Sequence, residues 1–366
     1  MLANATPARL AGRREWVGLA VLTLPCLLYA MDLTVLNLAV PHLSADLQPS
    51  SVQLLWIVDV YGFMVAGLLV TMGTLGDRIG RRRLLLAGAA GFAVASVLAA
   101  LSTSPEMLIA ARAVLGVAGA TVAPSTLSLI RHMFADPRQR TVAVSVWITS
   151  FSVGGAIGPL AGGLLLEWFW WGSVFLLAVP VMGLLLVLGP ILLPEYRAPE
   201  AGRLDLASAG MSLGAVLAAI YGLEQLAQDG PGWPPAVSIV VGLAVGVAFV
   251  RRQQRLADPL LDLRLFRVPA FSAALTTNVL SFFVGFGALL FVAQRLQLVL
   301  GLSPLRAGLW MLPASAGFIV GSMLTPLLAG HLRPGLVMAC GLGLAAVGLG
   351  CSPSSAPTTP RDWGSW

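Results

Sequence analysis

Lysine is absent from this chain: all 22 basic residues are arginine, and charged residues of both signs make up only 10% of the 366 positions. A water-soluble domain carries roughly a quarter of its residues as charges, so an ordinary soluble fold is excluded. Cysteine is nearly as scarce. Cys26, Cys340 and Cys351 lie in or at the end of apolar runs with no Cys-x-x-Cys spacing, so they read as packing residues rather than a redox or metal site. The three histidines, His42, His132 and His331, fall in or beside connections at different ends of the apolar runs. They form no metal cluster and no converging Ser, His and Asp set, which leaves a hydrolase without support. The formal net charge of +6 is not spread among interleaved aromatic rings, which argues against nucleic acid as a partner.

What the chain does have is apolar surface: 57% of its residues are hydrophobic and the mean hydropathy is +0.87. One bilayer crossing needs about 20 apolar residues. Eleven such spans can be read, at about 16–40, 53–75, 84–102, 107–130, 141–166, 173–193, 206–226, 236–250, 270–293, 306–329 and 334–351. The expectation is an all-α integral membrane protein. Arginines gather in alternate connections: the N-terminal segment, then Arg78 to Arg83, Arg131 to Arg140, Arg197 and Arg203, Arg251 to Arg267, and Arg333. The intervening connections hold none, apart from Arg295 near Gly301. Repeated over the whole chain, this positive-inside pattern puts the N-terminus in the cytoplasm and, with eleven crossings, the C-terminus outside. Arg9, Arg13 and Arg14 before the first run resemble a signal peptide, but no small-residue cleavage site follows, so an uncleaved first span is expected.

The stretch from Gly154 to Gly163 concentrates five glycines and a proline inside one apolar run. In water that composition would ruin a helix, at about 1 kcal/mol per glycine and about 3 for proline. In a membrane, small residues let helices approach closely, and neighbours can satisfy the groups that proline frees. Gly154, Gly158 and Gly162 form one stripe at four-residue spacing; Gly155, Pro159 and Gly163 form a second beside it. Such a helix is expected to touch others and to bend.

Asp32 and Asp59 are the carboxylates placed well inside spans. An Asp at mid-span costs about 2.5–3.5 kcal/mol on insertion scales, so it is expected to face a bundle interior or a watery cavity. Each either exchanges a proton for a cationic solute or hydrogen-bonds a neighbouring helix, and Thr34 and Asn37 near Asp32 suggest a polar packing face. Arg112 is the arginine in mid-span. It shares a face with Gly116 and Ala120 and needs an acceptor, either Asp32 or backbone carbonyls. Tyr29, Trp56, Tyr61 and Phe63 either line a cavity for flat or lipophilic cations or simply pack.

The segment from Gly73 to Arg83, reading Gly-Thr-Leu-Gly-Asp-Arg-Ile-Gly-Arg-Arg-Arg, resembles the signature loop of the major facilitator superfamily. Its glycines suggest a tight turn, and Asp77 is suited to capping or pairing near a helix end. The stretch around Arg112 is similar to the family's fourth-span motif, and Gly154 to Gly163 to the fifth-span motif associated with antiporters. Met31 to Pro41 resembles the first-span motif of the fourteen-span drug:proton antiporters, and Trp170 to Leu176 a segment of their quaternary-ammonium and multidrug exporters. The likeness runs from about Trp16 to Gly350. It implies a cell-membrane antiporter that exports lipophilic or cationic drugs by alternating access, using the proton gradient and no cofactor, with protons, substrate and lipid as partners. It assigns Gly73, Asp77, Arg78, Gly80 and Arg81 to a cytoplasmic latch.

By the same likeness, residues 1–195 form a six-helix bundle, 196–268 two inserted helices, and 269–351 three helices of an incomplete second bundle, leaving 352–366 as a disordered or aberrant tail. Leu328 to Gly335 looks like a worn copy of the signature loop. Eleven helices against an expected fourteen leave a second reading open, that of a truncated, inactive or partner-associating member; an uptake carrier is disfavoured by the fifth-span motif.

Overall fold

The computed structural model describes residues 10–197, 205–256, 259–302, 304–329 and 334–350. The expected tail, Cys351, His331, Arg203 and half of the worn loop copy, residues 330–333, lie outside them. Every regular element among the described residues is helical. The first is α1 (Arg13–Leu47), followed by α2 (Ser51–Ile79), α3 (Arg81–Ala100), α4 (Pro105–Gly119), α5 (Val122–Met133) and α6 (Pro137–Trp168). Next come α7 (Ser173–Leu176), α8 (Ala178–Leu192), α9 (Leu206–Asp229), α10 (Trp233–Arg255), α11 (Pro269–Gln294), α12 (Pro304–Ala329) and α13 (Pro334–Gly350). Among the described residues, eight segments are long and apolar enough to cross a bilayer, with α4–α5 and α7–α8 each counting once; shorter apolar helices occur at Pro269–Gly285, Gly308–Gly321 and Gly335–Gly348.

Helices begin where polar residues cap them. The Ser50 hydroxyl accepts from Gln53 N at 3.2 Å while the Gln53 side chain accepts from Ser50 N at 2.9 Å, a reciprocal cap that starts α2. Asp136 accepts from Gln139 N at 2.9 Å at the head of α6, and Asp205 from Ser208 N at 3.2 Å at the head of α9. The span read at 107–130 is broken between α4 and α5. Pro124 lacks the N–H that would bond the Ala120 carbonyl, and its ring crowds that carbonyl. Pro159, by contrast, leaves α6 unbroken.

The closest helix approaches are made at small residues, as expected where lipid tails are as apolar as leucine. The principal contacts join α1 to α6, α9 to α10, α6 to α12, α2 to α4, and α3 to α4 and α8. In the α9–α10 hairpin, a Cβ on Gly222 would come within 2.7 Å of Ile239, and one on Gly242 within 2.6 Å of Ala219 N. The same hairpin is tied at its arginine-rich end by Arg252, whose Nε donates to Asp205 Oδ2 at 2.9 Å and Nη2 to Oδ1 at 3.1 Å. Arg252 first, then Ser208, hold the Asp205 carboxyl well below the usual carboxylate range. Cys26 is buried against Thr126 and the Leu22 carbonyl, as a packing residue should be. Cys340 departs from that expectation: it is exposed on α13.

Candidate functional site

Arg112 projects from α4 into the seam between α1 and α2 and is 1% exposed. Its Nη1 donates to Asp32 Oδ2 in a buried ion pair. Its Nε donates to the Ile57 carbonyl at 2.9 Å and its Nη2 to the Val58 carbonyl at 3.0 Å. The two acceptors open to Arg112 from sequence are therefore both used, because one planar fork of donors reaches a carboxylate and two carbonyls at once. The guanidinium carbon also lies 4.9 Å from the Tyr61 ring centre and 5.9 Å from that of Phe175. Gly116, one turn along α4, makes this reach possible: a Cβ there would come within 2.7 Å of the Tyr61 carbonyl oxygen. A cavity of about 10 Å³, close to the size of one water, is bounded by Leu28, Asp32, Phe92 and Phe175.

Asp59 is not drawn into that pair. It is half-buried on α2 and shares a side-chain hydrogen bond with Glu224 of α9. Glu224 is the residue that sequence reading missed. It lies near the end of its span beside Gln225, Gln228 and Asp229, and such a polar cluster looks like the exit of a helix into water. A carboxylate one turn inside that cluster was the available signal.

The four aromatic residues separate into two groups. Tyr61 is fully buried, with its ring edge-on to Phe92 at 6.4 Å and tilted against Tyr29 at 5.9 Å, which in turn meets Phe151 at 5.6 Å. Of the two readings open to Tyr61, packing is the one its burial fits, as part of the support of Arg112. Trp56 and Phe63 lie on the other side of α2, 6.4 Å apart, and Trp56 reaches Tyr221 of α9 at 6.2 Å.

The segment from Gly73 to Arg83 is mostly helix rather than loop. Gly73 and Gly76 sit inside α2, so the turning role expected of Gly73 is corrected; the chain turns only at Gly80, whose φ is +110°. Asp77 accepts from Arg81 Nη2 at 2.6 Å and Nε at 2.9 Å, and Arg81 Nη1 donates to the Pro124 carbonyl at 3.3 Å. Arg78 is exposed. Glu195, just after α8, is an unforeseen partner: it accepts from Arg82 N at 3.1 Å and lies 3.5 Å from Arg82 Nε and 3.7 Å from Arg83 Nε. This arginine-rich turn is clamped to the end of α8 and, through Pro124, to α5.

On α6 the two glycine stripes meet different neighbours. A Cβ at Gly154 would collide with the Leu27 carbonyl oxygen, one at Gly158 with Thr34 Oγ1, and one at Gly162 would come within 2.7 Å of Val35, all on α1. On the second stripe, a Cβ on Gly163 would lie 3.4 Å from Leu305 of α12, and one on Gly308 3.7 Å from Pro159. Gly155 meets nothing within 4 Å. The segment after α6 acts as a staple: Trp171 Nε1 donates to Asp46 Oδ2 at 2.7 Å, and Trp170 Nε1 to the Ala100 carbonyl at 3.4 Å. No group of His, Cys, Asp and Glu suited to a metal ion occurs among the described residues.

The chain is 49% identical over 335 residues to the multidrug efflux pump LfrA of Mycolicibacterium smegmatis, a match covering 92% of this chain and 66% of the relative. It is 37% identical to the methyl viologen resistance protein SmvA of Salmonella typhimurium, covering 96% and 71%, and 33% identical to the tetracenomycin C resistance and export protein of Streptomyces glaucescens, covering 94% and 64%. It therefore spans about two thirds of the length of these relatives. The solved proton:xylose symporter XylE shares the fold at a TM-score of 0.56 and 17% identity, covering 86% of this chain and 68% of that one. The family profile of the Major Facilitator Superfamily matches residues 23–366. With a family profile that matches most of its length and apolar helices long enough to cross a bilayer, the chain belongs to the Major Facilitator Superfamily.

Proposed function

We propose that the protein exports lipophilic and cationic compounds in exchange for protons by alternating access. Asp59 and Asp32 carry proton coupling and cation recognition, and Arg112 supports them electrostatically. The observation that carries this reading is the buried Asp32–Arg112 pair with a second carboxyl, Asp59, on the adjoining helix, in a chain related to a multidrug efflux pump and a methyl viologen resistance protein. Methyl viologen is a flat dication, the kind of solute that carboxylates and ring faces hold.

In this reading the apolar helices make eleven crossings of the cell membrane with the N-terminus in the cytoplasm, following the arginine alternation. Helices α1 to α8 form the first bundle, α9 and α10 the inserted pair, and α11 to α13 belong to the second bundle. The glycine helix α6 touches α1 through one stripe and α12 through the other, which suits an element that must slide as the bundles rock. Asp77, Arg81 and Glu195 fasten the cytoplasmic side of the first bundle. The proton gradient drives transport and no cofactor takes part.

Accumulation of a fluorescent cation such as ethidium in cells with and without the protein tests the direction. Expressing cells should hold several-fold less dye, and a protonophore should abolish the difference. Greater accumulation on expression would make the protein an uptake carrier.

A further inference from the structure

We infer that Glu224 of α9 shares one proton with Asp59 of α2, which makes the inserted helix a working part of the coupling machinery. The inference deepens the antiport reading and rests on it for its role in transport. Helices α2 and α9 run side by side along several turns. Ser212 Oγ donates to the Gly67 carbonyl at 3.1 Å, a Cβ on Gly67 would come within 2.6 Å of Leu213, and Trp56 meets Tyr221 at 6.2 Å. The carboxyl contact lies at the far end of this seam, with Trp56 one turn before Asp59 and Tyr221 one turn before Glu224.

Two carboxyl groups in hydrogen-bond contact cannot both be ionised at little cost: like charges that close drive one of them to keep a proton. Arg112, the nearby cation on α4, is committed to Asp32 and to the carbonyls of Ile57 and Val58. The other titratable groups at this depth are Asp32 and Tyr29 on α1, Tyr61 on α2 itself and Tyr221 on α9. Glu106 on α4 is held by Gln53 at 2.6 Å nearer the helix ends. Helices α3 and α5 bring their charges, Arg81 to Arg83, Arg131 and His132, at the opposite end of the bundle.

Asp59 lies eight residues after Ser51, about 12 Å along α2 from its arginine-poor end. A proton entering from that side meets the pair early. Between Trp56, Phe63 and Tyr221, an organic cation and the shared proton compete for the same negative charge. When the cation binds, the carboxyl O–H bond breaks and the proton passes to water; when a proton returns, the carboxylate is neutralised and the cation is released. Glu224 is thus a positioning residue that acts through Asp59. Its side chain sets whether Asp59 is held with a proton or without one.

Infrared difference spectroscopy of the purified protein, with and without tetraphenylphosphonium, reads this directly. Wild-type protein should show a protonated-carboxyl band that the cation abolishes. E224Q and D59N should each lose that band, the double variant should lose no more than either alone, and E224D should keep it. A full band in E224Q, or losses that add in the double variant, would overturn the shared proton. Identical behaviour of E224D and E224Q would assign Glu224 to packing alone and overturn it as well. Transport in vesicles separates the two proposals. A normal band response without gradient-driven transport refutes the antiport reading and leaves the pair standing, whereas gradient-driven transport with an unchanged band in E224Q refutes the pair.

Discussion

Arg112→Leu is expected to lower the stability of the folded protein by about 3–5 kcal/mol, the usual cost of removing one partner of a buried ion pair. The arginine contributes three contacts at once, and its loss leaves Asp32, 8% exposed, without its cation. Asp32→Asn should cost less than the arginine change, because an amide still accepts from the guanidinium while Ile57 and Val58 keep their donors. Combining Asp32→Asn with Arg112→Leu should recover part of the loss, since deleting both charges removes the orphan. Arg112→Lys should not rescue, because a point charge cannot reach a carboxylate and two carbonyls in one plane. Thermal or denaturant unfolding in detergent measures all four variants. Additive losses would mean that Arg112 and Asp32 act independently.

The second large effect belongs to α6. Gly154→Val and Gly158→Val should each cost about 3 kcal/mol or prevent assembly, at the upper end of overpacking effects. The obstruction at Gly154 is the backbone of Leu27, which has no flexible end to move aside; the one at Gly158 is Thr34 together with the backbone of Met31. The whole of α1 would have to back away, taking Asp32 with it. Gly155→Ala is the internal control. It meets nothing within 4 Å and replaces a poor helix former, so it should be neutral or stabilising by up to about 1 kcal/mol. Yield and unfolding midpoint in detergent separate the two stripes. Equal sensitivity at Gly154 and Gly155 would contradict the packing.

Much of this was legible before any coordinates. Apolar runs and arginine-bearing connections locate the helices because lipid allows little else. A guanidinium in mid-span must find an acceptor, which leaves Asp32 and backbone carbonyls open for Arg112, and the structure uses both. The two stripes of α6 follow from helical spacing alone. Which helix each stripe meets does not, since nothing in Gly154 to Gly163 names Leu27 or Leu305.

The misreadings also have physical causes. Gly73, Thr74 and Gly76 look like turn residues, yet α2 runs through them to Ile79. Gly76 serves close approach instead: a Cβ there would lie 3.0 Å from the Arg81 side chain. Glu195 was not legible as the clamp on Arg82 and Arg83 because it is more than a hundred residues away in the chain. Glu224 sat among polar neighbours at a span end, where a carboxylate costs little and attracts no notice.

Proton coupling through Asp59 is tested most directly by efflux of a lipophilic cation from proteoliposomes under an imposed pH gradient, comparing wild-type protein with Asp59→Asn. Wild-type protein should drive efflux only when the gradient is present, and Asp59→Asn should abolish the gradient-driven part while leaving the unfolding midpoint close to that of wild type. Efflux that ignores the gradient, or that continues unchanged in Asp59→Asn, would contradict it.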